Sequence, residues 1–148
     1  MMKTKITPQE YSTILTSLDL YKISLTNASL KVSPNLPNGA NVDLDFKDKY
    51  KFLDEKESVK FFASFVLEGS IGGNDTKSKL FIISGEYQIT YNKLNEVVVT
   101  RDFFEIFKEM SLTTIIWPYF REYIQNMVTR AGLPPFVLPS KIIMRDKD

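Results

Sequence analysis

Apolar and polar positions alternate through the middle of the chain. Val42, Leu44, Phe46, Tyr50 and Phe52 share one parity, and Asp43, Asp45, Lys47, Lys49 and Lys51 share the other. Successive side chains of a strand point to opposite faces, so this spacing predicts an amphipathic strand with one buried and one wet face. After the polar turn Asp54-Glu55-Lys56-Glu57, Val59, Phe61, Ala63, Phe65 and Leu67 share a parity in the next strand, with Phe62 and Val66 on its other face. Gly72-Gly73-Asn74-Asp75 marks a second turn, and Phe81, Ile83, Tyr87, Ile89 and Tyr91 then fall in phase between Leu80 and Tyr91. Upstream, the alternation from Leu20 to Val32 predicts a strand bulged near Asn27-Ala28. Two prolines and Asn38-Gly39 make the stretch from Ser33 to Gly39 a loop. Short connections between consecutive strands imply an antiparallel meander over residues 20–91, and the apolar stripe implies helices on one face.

The ends of the chain follow a helical period. Thr7-Pro8-Gln9-Glu10 has the form of a capping box with proline in the first turn, and Tyr11, Ile14, Leu15 and Leu18 follow on one face, giving a helix over 7–18. Asp102 with Glu105 forms a candidate cap, before Phe103, Phe104, Phe107 and Met110 at helical spacing. A second helix from about Leu112 to Arg130 carries Ile116, Tyr119, Phe120, Tyr123 and Met127 on its face, with a kink or helix start expected near Pro118. Gly132 is placed to end it in the left-handed conformation, ahead of Pro134-Pro135. The whole, 1–148, is expected to be one α+β domain: a four-stranded antiparallel sheet, a helical region over 102–131, and a short tail over 140–148.

Composition narrows the chemistry. The chain has neither cysteine nor histidine, which excludes thiolate nucleophiles, disulfides, zinc held by Cys or His, and histidine proton relays. A hydrolase would need two carboxylates with separated pKa values, and no such constellation stands out. No catalytic residue, cofactor or metal is expected. Asp43 and Asp45 share a face, but they alternate with lysines and read as solvated. Gly72-Gly73 lacks the Lys-Ser/Thr of a phosphate loop. A formal net charge of +1 predicts no strong field for nucleic acid or an anionic membrane. The most apolar helical stretch, Leu112 to Val128, contains Arg121 and Glu122 and is unsuited to spanning a bilayer. With no secretory pattern after Met1, a cytoplasmic location is expected.

Certain motifs are more specific. Ile116-Trp117-Pro118-Tyr119-Phe120-Arg121-Glu122, then Met127-Val128-Thr129-Arg130-Ala131-Gly132-Leu133-Pro134, then Leu138-Pro139, resembles the signature stretch of the SecB chaperone family. Asn41 to Phe46 and Phe65 to Gly72 look like the family's second and third strands. The resemblance covers roughly Leu20 to Pro139. It implies a SecB-like fold, a homo-oligomer (dimer or tetramer), and ATP-independent binding of unfolded or extended polypeptide, either a preprotein or an antitoxin. On this reading Leu36, Val42, Leu44 and Phe46 line the client groove, Leu36 on a crossover loop, while Tyr119, Phe120, Tyr123 and Met127 contribute to an oligomer interface. The family's second amphipathic helix has only Ser140 to Asp148 to replace it. The acidic positions that dock the export motor SecA align with Lys22, Thr26 and Ser84, which argues against that partner. The alternative is a non-catalytic interaction module with one dedicated folded partner.

Overall fold

The computed structural model describes residues 6–34, 42–71 and 78–133. Its elements are α1 (Pro8–Thr16), β1 (Leu18–Val32), β2 (Asp43–Asp54), β3 (Ser58–Ile71), β4 (Ser78–Lys93), α2 (Arg101–Phe107), a π-helical turn (Lys108–Leu112) and α3 (Thr113–Arg130). The four strands form one antiparallel sheet with helices on one face, as the alternation implied. Their order is β1-β4-β3-β2. Only β2, β3 and β4 therefore run as a meander. β1 lies beyond β4 rather than beside β2, which gives the order of a Greek key.

The face toward the helices is the apolar parity. Val59, Phe61 and Ala63 are 0% exposed, and so are Ile83 and Ile89 on the neighbouring strand. Aromatic rings join sheet to helices: Phe104 stacks on Phe52 at 4.7 Å, Phe107 meets Phe61 at 5.0 Å, and Phe120 meets Phe65 at 4.8 Å between centroids. Asp48 interrupts the apolar row of β2, and its carboxylate accepts the Tyr50 hydroxyl at 2.9 Å. In β1 the register shifts twice, between Leu20 and Lys22 and between Leu25 and Asn27. Each shift inserts one extra residue. Leu20, Ile23, Leu25, Ala28, Leu30 and Val32 thereby pair with the inward row of β4 despite their uneven spacing. The second shift lies next to the bulge expected at Asn27.

The helix ends show which residues cap them. Thr7 accepts the Glu10 amide at 3.1 Å, and the Glu10 carboxylate accepts the Thr7 amide at 2.9 Å. That bond holds the Glu10 carboxyl below its ordinary pKa. The cap of α2 is Thr100, whose hydroxyl accepts the Phe103 amide at 3.1 Å, and not Asp102. Glu105 instead pairs with Arg101 and Lys108. At the end of α3 the Leu133 amide donates to Val128 and the Gly132 amide to Thr129, both at 3.1 Å. With Gly132 at φ +69° this is a Schellman motif.

The π-helical turn explains a mismatch between the expected and actual helix faces. A steady α period from Phe103 and Phe107 places Met110 inward, yet Met110 is 71% exposed. The buried series is Phe103, Phe107, Leu112, Ile116, Phe120, Ile124 and Val128. Its single step of five falls across the π turn. That extra residue re-phases α3 so that both helices face the same sheet. Trp117, Ile124 and Val128 therefore join Ile116, Phe120 and Tyr123 inside, while Tyr119 turns outward.

One cation ties the lower end of the sheet together. The Lys93 ammonium lies 2.7 Å from Asp54 Oδ1 and donates to the Glu55 and Val97 carbonyls. It thereby joins the β2–β3 turn to the segment leaving β4.

Candidate functional site

α3 crosses the sheet obliquely. Trp117 lies over β2, with its ring 5.7 Å from Phe46. Phe120 lies over β3, and Tyr123 reaches β4 and β1. Its hydroxyl donates to the Ser84 carbonyl at 2.9 Å and accepts the Ser29 amide at 3.1 Å. Gly85 permits this crossing, because a Cβ there would lie 3.0 Å from the Tyr123 ring and 3.1 Å from that of Phe65. The oblique path leaves the start of β2 uncovered by α3. Val42 is 41% exposed and Leu44 46%, while Phe46 is 7% exposed and stacks on Phe65 at 5.7 Å. Phe46 and Trp117 thus form an aromatic floor, and Val42 and Leu44 stand beside it.

Opposite Leu44 in the register is Gly69. The Phe81 ring lies over that glycine, in the space a side chain would fill. A glycine inside a strand signals such an approach, although the sequence does not say which ring makes it. β2 pairs only with β3 among the described residues, so no described strand lies along its other edge. Among the described residues the site is an apolar ledge on the edge strand of the sheet. Extended peptides use that combination, the backbone for affinity and alternate side chains for selection.

The expected site residues divide accordingly. Val42 and Leu44 are accessible on one face, Phe46 is beneath them, and Leu36 lies outside the described residues. Of the four residues assigned to an interface, Phe120 and Tyr123 are 1% and 5% exposed within the chain's own core, so their rings do not face outward. Tyr119 is 41% exposed and Met127 is half-buried. Tyr119 sits against Tyr87, the register partner of Leu25, and Leu25 is itself 43% exposed. No cluster of carboxylates suited to a metal occurs among the described residues. Asp45 leans on Lys47 at 3.8 Å. No helix among the described residues is long and apolar enough to cross a membrane.

Burial raises the pKa of several tyrosines. Tyr87 is pushed up to about 12 by burial and then by the nearby Glu122. Tyr50 is raised by burial and by Asp48, and Tyr91 and Tyr123 by burial. A group whose folded pKa is raised contributes stability below its unfolded pKa and loses it as pH climbs toward the folded value. The urea midpoint is therefore expected to fall as pH rises from about 9 to about 11, across the unfolded tyrosine pKa near 10. A flat midpoint over that span would contradict the burial of these hydroxyls.

No family model and no curated protein matches the chain by sequence. The fold does match known structures. A SecB-like chaperone of Mycobacterium tuberculosis, solved in complex with a ChAD peptide from an antitoxin, superposes with a TM-score of 0.74. The match covers 93% of this chain and 99% of that one at 16% identity. The fold is thus that of the SecB-like chaperones.

Proposed function

We propose that this protein is a holdase: a chaperone that binds extended, aggregation-prone polypeptide without ATP and performs no covalent chemistry. The observation that carries this reading is the exposed pair Val42 and Leu44 beside an aromatic floor on β2, which is an edge strand among the described residues. A monomer avoids a contiguous exposed apolar surface unless the surface has a use. The similar fold of a chaperone bound to an antitoxin peptide supports an antitoxin over a preprotein as client. The absence of acid at Lys22, Thr26 and Ser84 argues against docking to SecA. A cytoplasmic setting suits such a client.

Copies of the chain would associate through the uncovered half of the helix-side face, where Leu20, Leu25, Tyr119 and Met127 remain accessible. A dimer or tetramer would place several weak sites on one client and raise avidity.

The test is dilution of a chemically unfolded protein into buffer without ATP, followed by light scattering. The wild-type protein is expected to suppress aggregation saturably. Leu44→Asp, which puts a charge where an apolar side chain should dock, is expected to weaken client binding about tenfold or more, with an unchanged circular dichroism spectrum. Absence of suppression at large excess would leave an interaction module with one dedicated folded partner.

A further inference from the structure

The groove face of β2 would accept any apolar strand; its opposite face is more selective. Lys47, Lys49 and Lys51 form one row on the wet side of this edge strand, directly across from Val66, Ser64 and Phe62 of β3. Nearby acids are largely engaged. Asp45 leans on Lys47 at 3.8 Å, Glu68 pairs with Lys79 at 3.0 Å, and Glu55 pairs with Lys60 at 3.3 Å. Glu86 lies opposite Ser64, one strand further from Lys49, at about 9–10 Å by strand spacing. Lys49 and Lys51 take part in none of the ion pairs among the described residues. At the start of the same row stand Asp43 and Asp45. The edge therefore reads, along its wet side, acid, acid, base, base, base.

A strand added to this edge places its residues directly opposite those of β2, with Cβ atoms about 4.5–5.5 Å apart. Opposite charges at that separation attract, and like charges repel. Residues of the other parity would fall beside Leu44, Phe46, Tyr50 and Phe52, on the helix side. Lysines on an edge also discourage indiscriminate pairing, so the row both blocks and selects.

Resting on the holdase reading above, we infer that β2 selects a client strand in which acidic and apolar residues alternate. Two acids spaced two residues apart face Lys49 and Lys51, and apolar residues between them face the groove. Asp43 and Asp45 set the register, because acids shifted toward that end meet like charge. The partner is thus an acidic, amphipathic, extended segment.

Three labelled peptides of equal length test this by fluorescence anisotropy. One alternates Glu with Val and Leu, one replaces each Glu by Lys, and one keeps the first composition with its alternation scrambled. The alternating acidic peptide is expected to bind about tenfold tighter than the lysine peptide. Raising salt from ~0.05 M to ~0.5 M should shrink that gap. The double reversal Lys49→Glu/Lys51→Glu should invert the preference, whereas Lys22→Glu/Lys31→Glu on β1 should leave it unchanged. Equal binding of the acidic and lysine peptides, or a preference that survives the β2 reversal, overturns the charge selection while leaving the holdase reading intact. Failure of every peptide to bind overturns both. Loss of peptide binding on self-association through β2, detected by light scattering, would give the edge to a second copy and also overturn the inference.

Discussion

Phe120→Ala is expected to destabilise the protein by about 3–5 kcal/mol, a large part of the ~5–15 kcal/mol that holds a domain folded. Phe120 is 1% exposed and its ring meets Phe65 at 4.8 Å, Tyr87 at 5.8 Å and Phe46 at 6.3 Å. Truncation removes contacts to three strands at once and leaves a cavity beneath α3. Urea unfolding measures the loss. The same loss at two protein concentrations tenfold apart would identify a core residue, whereas a loss that shrinks on dilution would indicate a subunit contact. The cavity also borders Phe46, so client affinity should fall in the same variant.

Lys93→Met is expected to cost about 2–4 kcal/mol, somewhat below the full penalty for breaking a buried pair because Asp54 keeps partial access to water. The Lys93 side chain is 4% exposed and that of Asp54 24%. Removal of the ammonium leaves the Asp54 carboxylate and the Glu55 and Val97 carbonyls without their shared donor. The further change Asp54→Leu should restore much of the stability, since an apolar pair of similar size avoids the desolvated charge. A double variant as unstable as the single one would show that the two carbonyls, and not the carboxylate, dominate the cost.

Much of the fold is legible in the sequence. The parity of Val59 to Leu67 is reproduced residue for residue, because β3 is a central strand whose inward row meets helices along its length. Thr7 with Glu10 and Gly132 act where their chemistry requires, since caps depend on neighbours within a few residues. Strand order is a different kind of information. Alternation reports which face is buried and not which strand lies alongside, so β1 could not be assigned to β4. The π turn was hidden for a related reason: a single added residue changes the phase of everything after it, and Met110 remains apolar although it turns outward. Thr100 does not stand out as the cap in the sequence because Asp102 offers an equally good signal two positions later.

The candidate site was half legible. Val42, Leu44 and Phe46 share one apolar parity, but the sequence does not reveal where the oblique path of α3 stops covering them. That path depends on Gly85, which admits the Tyr123 ring of α3. The interface role of Phe120 and Tyr123 came from the family resemblance, whereas the helical stripe they belong to places their rings in the chain's own core.

The placement of β1 beside β4 has a consequence for synthesis. β1 leaves the ribosome early, but its partner is not complete until β2 and β3 have followed. At ~5–20 residues per second, the interval is several seconds. Throughout it, Leu20, Ile23, Leu25, Leu30 and Val32 remain part of an unpaired, apolar segment. Contacts this distant along the chain slow folding. For that interval the nascent chain is itself an extended, aggregation-prone polypeptide, the kind of substrate that the proposed holdase would hold.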